Sequence, residues 1–438
     1  MYQAKTIVVK RKQKALYNYC KKACEDAKLL KNAVIFRCRQ IIFADRKEYK
    51  YLHELERQVL EEFNLIEDKI ENKKIYIPNY YQFDRMFRDT ENPDFFNDLS
   101  MQISQNIIKA VLADFRSYFK SIKKYAVHPE EFEKKPNFPK YVKGTQAGFD
   151  ISNEDAVIKV KKNERFLKLP KTKATVPLGD MKTGTVKEVT IKPFYDTYKI
   201  CISMETDDVC EPHENNDRII GIDLGVNNFA SVNNNCGLTP FIINGRILKS
   251  YNQWYNKKLA ELRSFAMKAG KRSSKRIKQL NKAHYNRTKD FYDKAASYIV
   301  RYCIRNDIGT IVVGKNNGWK QDINIGHENN QTFCFIAHAA FIEKLIAQAV
   351  KYGIIVFKTE ESYTSKADLL SLDDMEGGKD AHFSGRRIKR GLYKSGTGVT
   401  INADINGAGN IIRKIFKNAF SGIDMSYMTG TIEVVNIA

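Results

Sequence analysis

Residues 218–235, RIIGIDLGVNNFASVNNN, read as a buried strand, a tight turn and a second strand. This stretch sets Asp223 at the C-terminal end of its first strand, where an α/β sheet usually mounts its chemistry. Gly221 and Gly225 leave room beside it for a ligand or a neighbouring backbone. Downstream, PFIING (240–245) offers a third strand, residues 248–305 a long helical region, and TIVVG (310–314) another strand. FIAHAAFIEKLIAQAVKYG (335–353) follows as a helix with Gly353 placed as its stop. IIVFKTEESYTS (354–365) is a further strand, and NADINGAGNIIRKIFKNAF (402–420) opens with cap chemistry and continues as a helix. The order βββ-α-β-α-β-α is that of the RNase H-like class, a mixed sheet with three parallel strands.

Upstream the pattern changes. Residues 4–10 read as one strand and residues 13–74 as helices. Residues 98–125 read as a second helical block, with Asn97 and Ser100 as N-cap candidates. HPEEFEKKPNFPKY (128–141) carries three prolines and stops the helices. Residues 146–205 alternate as strands and predict a small antiparallel barrel, closed by the N-terminal strand, into which the helices are inserted. DDVCEPHENNDR (207–218) is a polar linker. The expectation is a multidomain α+β chain.

The 438 residues carry 73 Lys and Arg against 51 Asp and Glu, a formal charge of +22, so a polyanionic partner is expected. A hydrophobic share of 43% excludes a disordered chain. The eight cysteines form no Cys-x-x-Cys pair, which argues against a zinc ribbon or a redox motif. Cys20 and Cys24 read as buried thiols of a helix. No signal peptide and no 18-residue apolar run is present, so a reducing, cytosolic compartment without a membrane is expected.

Asp404, at the start of the last helix, joins Asp223 as a candidate. Singly, Asp223 reads as a turn residue and Asp404 as an N-cap. Together, in this strand order, they read as a site for two divalent ions about 3.5–4 Å apart that activate water against a phosphodiester. Hard carboxylate oxygens suit Mg²⁺.

GIDLGVNNFASV, IVVGKNNGWKQ, EESYTSKADLL, SGRRIKRGLYKS and INADINGAGNIIRK resemble TnpB, the RNA-guided nuclease of bacterial insertion sequences, and its descendants, the compact type V CRISPR nucleases. KNAVIFRCRQ and KPNFPKY extend the resemblance upstream. It implies a RuvC nuclease domain (217–361 and 401–438) and an oligonucleotide-binding-like wedge (1–12 and 128–216). It further implies a helical recognition lobe inserted in the wedge (13–127) and a target-nucleic-acid-binding insertion (362–400). It also implies a non-coding guide RNA, a double-stranded DNA target and a bacterial cytoplasmic setting, nucleoid-associated when on DNA.

This sequence departs from the family twice. Gly314 stands where the family strand ends in glutamate, and residues 362–400 lack the cysteines of a zinc ribbon, so no zinc is expected. Glu360 and Glu361 end the strand beside that of Gly314. Strands lie about 4.8 Å apart, so such a glutamate starts one strand away; a glycine at 314 leaves its path open. Successive residues face opposite ways, so one of the two should complete the site: Glu361 is preferred, with Glu360 as the alternative. The plain reading makes both solvated acids at a strand end. Asp368, Asp373 and Asp374 read as solvated.

Residues 268–289 hold nine basic residues and no acid. Lys271, Arg272, Lys275 and Arg276 are read as phosphate contacts, with Arg272 and Arg276 sharing a helix face. Arg386, Arg387, Lys389 and Arg390 are read as holding a single strand, with Tyr393 for base stacking. Trp319 and His338 read as core residues. The leading reading is an RNA-guided DNA endonuclease with two Mg²⁺ on Asp223, Glu361 and Asp404. The rival is a nuclease-dead, RNA-guided repressor. A transposase acting directly on DNA ends lacks its tyrosine and histidine pair.

Overall fold

Tyr2–Val9, the strand expected at the N-terminus, is β1 in the computed structural model, which describes residues 2–179, 181–206, 211–215, 217–315, 336–376 and 382–437. Met1–Val209 and Cys210–Ala438 form two compact units. In the first, β1 is followed by helices α1 (Lys14–Asp45), α2 (Glu54–Glu62), α3 (Ile66–Ile70), α4 (Tyr80–Asp89) and α5 (Met101–Val127). Strands β2 (Phe149–Ser152), β3 (Val157–Lys161), β4 (Glu164–Lys168), β5 (Thr175–Pro177), β6 (Thr185–Phe194) and β7 (Thr197–Glu205) complete it. Of the two candidate caps for α5, Ser100 serves, its hydroxyl accepting from Ile103 N–H at 3.3 Å. Cys20, Cys24 and Cys38 lie buried on α1.

β1 pairs with β7 along its whole length, Tyr2 opposite Glu205 and Val9 opposite Tyr198. The helices are therefore an insertion between the first and second strands. The expected closed barrel is not formed by hydrogen bonds. The strands divide into a four-stranded sheet, β1-β7-β6-β2, and a three-stranded sheet, β3-β4-β5. The tight turn at Lys162 and Asn163, both at positive φ, folds β3 back on β4, and β3 exposes nearly every residue. A strand so exposed on both faces has no buried side with which to extend the larger sheet.

The second unit contains β8 (Ile219–Leu224), β9 (Asn228–Asn234), β10 (Phe241–Asn244), α6 (Arg246–Lys268), α7 (Lys275–Arg305), β11 (Thr310–Gly314) and α8 (His338–Ala349). β12 (Ile355–Thr359), β13 (Arg386–Lys389), β14 (Leu392–Lys394), β15 (Thr400–Asn402), α9 (Ala403–Ile415) and β16 (Glu433–Val435) follow. The main sheet runs β12-β11-β8-β9-β10-β16. β12, β11 and β8 are mutually parallel and β9 is antiparallel to β8, the mixed sheet expected. β16 was not foreseen: three largely exposed residues carry no hydrophobic period to read.

Alternation along the strands sorts the two faces. Ile220, Ile222 and Leu224 of β8 join Phe291, Ile299 and Phe341 of α7 and α8 in one core. Ile219 packs instead with Val312 of β11 and with Ile411 and Ile412 of α9. Side chains alternate along a strand, so Asp223 and Gly314 both belong to the α9 face. Close packing there explains Gly221, where a Cβ would stand 2.0 Å from the Ala408 carbonyl oxygen.

The long helical region expected from 248 to 305 comprises two helices. Gly270, at φ +65°, ends α6, and the Ser274 hydroxyl caps α7 by accepting from Ile277 N–H at 3.2 Å. Lys271 and Arg272 thus lie in the turn between them. The shared helix face of Arg272 and Arg276 is corrected: only Arg276 is helical. Gly353, at φ +68°, closes the segment after α8 as expected. Trp319 and the linker residues 207–210 and 216 lie outside the described residues.

Asp368 overturns its reading as a solvated acid. It is fully buried. Its carboxylate accepts from the N–H groups of Leu370 (3.1 Å) and Gly396 (2.7 Å). It also accepts from the hydroxyls of Ser371 (2.8 Å), Ser384 (3.3 Å) and Ser395 (2.6 Å). Asp373 accepts in turn from Asp368 N–H and Ser384 N–H, both at 2.9 Å. One carboxylate therefore ties together the ends of the segment that carries β13 and β14. Burial pushes the Asp368 carboxyl up, but the hydrogen bonds from Ser395, Ser371, Gly396 and Leu370 outweigh it and hold the group below its ordinary value.

A carboxyl depressed by folding stabilises the fold above its unfolded value, and that contribution is lost as pH falls through the folded one. Asp368→Ala is expected to cost about 3 kcal/mol by orphaning a buried network. The check is hydrogen exchange: protection should fall across residues 384–396 while β8 stays protected. In the parent, the same protection should fade only below about pH 4, because the carboxyl must first be protonated.

Candidate active site

Three carboxylates reach one place from three elements. Asp223 comes from the end of β8, Glu361 from just beyond β12 and Asp404 from the first turn of α9. Burial, then repulsion by Glu361 and Asp404, holds the Asp223 carboxyl well above its ordinary range, with Arg387 pulling the other way. Burial, followed by the charge of Glu360, pushes Glu361 up to about 7. Such a cluster costs stability at neutral pH, and structures retain it where like charges serve a function.

Gly314 shows how Glu361 arrives. A Cβ there would stand 2.5 Å from Glu361 Oε1 and 2.8 Å from its Cγ. The side chain from the neighbouring strand thus lies over the bare end of β11, in the space that any larger residue at 314 would fill. Glu360 turns away: its Oε1 accepts from Lys414 Nζ at 2.7 Å and its Oε2 from Ser362 N–H at 3.1 Å. The Lys414 and Ser362 hydrogen bonds lower its carboxyl below the ordinary value. Of the two candidates, Glu361 is the one beside Asp223.

The last helix does more than its aspartate suggested. Asn402, not Asp404, is the cap, its Oδ1 accepting from Asp404 N–H (2.9 Å) and Ile405 N–H (3.2 Å). That leaves the Asp404 carboxylate to the site. One turn on, Asn406 accepts from Leu369 N–H (3.0 Å) and donates to Ala367 O (2.8 Å). Another turn on, Asn410 donates to Ala367 O (2.7 Å) and Thr364 O (3.1 Å). Arg413 donates to the carbonyls of Leu372 and Asp373, both at 2.9 Å. Residues 402, 406, 410 and 413 share one helical face, which fastens the loop following Glu361. Gly407 brings the helix against Asp223, since a Cβ there would lie 2.9 Å from Asp223 Oδ2.

Sequence reading missed the amides. Asn228 Nδ2 donates to Asp404 Oδ2 at 2.7 Å, and the fourfold spacing of Asn402, Asn406 and Asn410 was the legible sign of the others. His338 is core, as expected: it is buried and its Nε2 lies 3.0 Å from Gly225 O, holding the β8–β9 turn.

The basic candidates part company. Arg387 reaches the site, NH2 donating to Asp404 Oδ1 at 3.1 Å. Arg386, Lys389 and Arg390 are exposed on or beside β13, and Lys271, Arg272, Lys275 and Arg276 are exposed around the start of α7. Tyr393 corrects its reading as a stacking surface. Its ring is fully buried and its hydroxyl donates to Lys366 O at 2.6 Å, so it offers no face to a base.

Asp223, Glu361 and Asp404 supply only hard oxygen donors, the chemistry of a magnesium site. Among the described residues, no three His, Cys, Asp or Glu side chains are gathered tightly enough to hold an ion as they stand. The Arg387 guanidinium meets part of their charge. No described helix is long and apolar enough to cross a membrane.

Fold and site define a class: a two-unit α+β protein whose mixed sheet carries an acidic cluster at the C-terminal ends of its parallel strands. Residues 199–320 match the OrfB_IS605 family, described as a probable transposase, which bears out the resemblance to TnpB drawn from the motifs. No curated protein matches the chain. Among solved structures it is similar to the Cas12f1-sgRNA-target DNA complex, at 15% identity and a TM-score of 0.46, over 89% of this chain and 82% of that one. It is also similar to the mini-RNA-guided endonuclease CRISPR-Cas_phi3, at 11% identity and a TM-score of 0.41, over 98% and 94%.

Proposed function

We propose that the chain is an RNA-guided DNA endonuclease, cutting by Mg²⁺-dependent hydrolysis at Asp223, Glu361 and Asp404. The observation that carries this reading is that Glu361 lies over Gly314 while its charge and that of Asp404 both bear on the Asp223 carboxyl. Bound magnesium would supply an activated water and neutralise the leaving oxygen of a phosphodiester. The chain's own part is to hold three oxygen donors on rigid supports. β8 fixes Asp223, the Asn402 cap and Asn228 orient Asp404, and the Asn406–Asn410 face sets the loop that presents Glu361.

Arg387, with Arg386, Lys389 and Arg390, would hold the strand to be cut, exchanging Asp404 for phosphate when nucleic acid arrives. Lys271, Arg272, Lys275 and Arg276 would contact backbone phosphates. The 217–361 and 401–438 segments would form the RuvC domain, 1–12 and 128–216 the wedge, 13–127 the recognition lobe and 362–400 the target-binding insertion. The partners would be a non-coding guide RNA and double-stranded DNA read beside a short motif, in the bacterial cytoplasm.

Incubation of guide-loaded protein with matched plasmid and Mg²⁺ tests this. Nicked or linear product supports it. Retention without cutting favours a guided repressor, the second reading, which draws on the Arg387–Asp404 pair. Gly314→Ala is expected to slow single-turnover cutting about 10- to 100-fold by pushing Glu361 aside, with target binding unchanged.

A further inference from the structure

Trp254 of α6 is 52% exposed, a large ring that the core leaves in solvent. It is not alone. The Tyr251 ring lies near-parallel to it at 5.5 Å and 20°. Across the helix pair, Tyr251 stacks on His284 of α7 at 5.7 Å and 14°, and His284 on Tyr255 at 3.9 Å and 21°. His284 Nε2 pairs with the buried Asn252 Oδ1 at 2.8 Å, which fixes the ring, and burial lowers its pKa and favours the neutral form. Four flat rings therefore run from the interior to the surface and end in the exposed indole.

The surface end opens on a cleft of about 640 Å³ lined by Arg246, Ile247, Ser250, Tyr251, Trp254 and Arg287. Arg287 lies over Tyr251 at 4.3 Å from the ring centroid. Among the described residues, no carboxylate lines this cleft. Its volume suits a small flat ligand, its walls offer aromatic faces, and its two guanidiniums suit an anion. An apolar peptide would leave both arginines desolvated and unmatched, whereas a nucleotide supplies a π-face and a phosphate together.

We propose that this cleft seats one unpaired nucleotide of a single strand, its base stacked on Trp254 and its phosphates held by Arg246 and Arg287. The proposal rests on the reading of the chain as a nucleic-acid enzyme but concerns a site separate in residues from the carboxylate cluster. Base and phosphate are common to RNA and DNA, so the strand type is an arm of the test.

The chain has two tryptophans, so full-length protein carrying Trp319→Phe reports on Trp254 alone. Titration with dT12 and with rU12 is expected to quench its emission, the more strongly quenching strand being the type seated. By fluorescence anisotropy in the otherwise unaltered chain, Trp254→Ala should weaken single-strand binding about 5- to 100-fold with an unchanged salt slope. Trp254→Phe should recover most of that loss. Arg287→Ala should reduce the salt slope by about 0.7. Unchanged emission despite binding, or a Trp254→Ala chain that binds as tightly as the parent, overturns the stacking site and leaves the nucleic-acid reading standing. Absence of binding to either strand overturns both. Because Trp254 is half exposed, its replacement leaves the core intact, which a thermal melt checks.

Discussion

Guide-loaded protein carrying Asp223→Ala is expected to retain matched DNA and to cut it on the order of a thousandfold more slowly or worse, since groups acting as one unit fail together. The reason is placement. Asp223 sits on the strand buried between two cores, and Gly221 and Gly407 let α9 approach it closely. No neighbouring side chain can take its position without moving that helix. Single-turnover cleavage beside a filter-binding assay separates the two effects, and equal losses in both would assign Asp223 to folding or loading instead. Asp223→Asn adds an independent readout. A carboxyl raised above its ordinary value destabilises the fold while ionised, and stability returns as pH falls through the folded value. Removing that charge should therefore raise the melting temperature at pH 7, by about 2–4 °C per kcal/mol relieved, while cutting is lost.

Glu361→Ala is expected to match Asp223→Ala in its loss of cutting, whereas Glu360→Ala should stay within about threefold of the parent. The two glutamates are adjacent in sequence and opposite in circumstance. Glu361 lies over Gly314 beside the aspartates, while Glu360 is spent on Lys414 and on the turn at Ser362. An ion pair with a half-exposed carboxylate of that kind contributes little, about 0–1 kcal/mol. The contrast is the test: loss of cutting in Glu360→Ala with survival in Glu361→Ala would reverse the assignment. Loss in neither would remove the third carboxylate from the mechanism.

Much of this site was legible because buried parallel strands and glycine-bounded turns write strong signals. Asp223, the strand ending at Gly314 and the stop at Gly353 followed from periodicity and turn chemistry, whereas Glu361 came into view through the resemblance, as a substitute for the glutamate the family carries at 314. What failed to show has physical causes. Tyr393 lies in a basic, glycine-rich stretch that reads as surface, and only the packing of Gly385 and Lys366 around it reveals a core position. Asp368 looks like any loop acid, because its hydrogen-bond donors come from residues as distant as Gly396. The break at Gly270 was hidden by basic residues that suit helix and turn alike. The amide ladder of α9 was visible as a spacing, but asparagine is so common at caps and turns that its tertiary partners could not be guessed.

The buried Asp368 knot sets the terms on which its segment can be dismantled. Residues 362–400 contain no cysteine, so thiol-directed oxidants find nothing there to attack. A clamp of serine hydroxyls and peptide groups around one anion yields instead to acid. The arginines on and beside β13 would thus keep their scaffold through oxidative stress, a condition under which a cysteine-ligated ribbon comes apart.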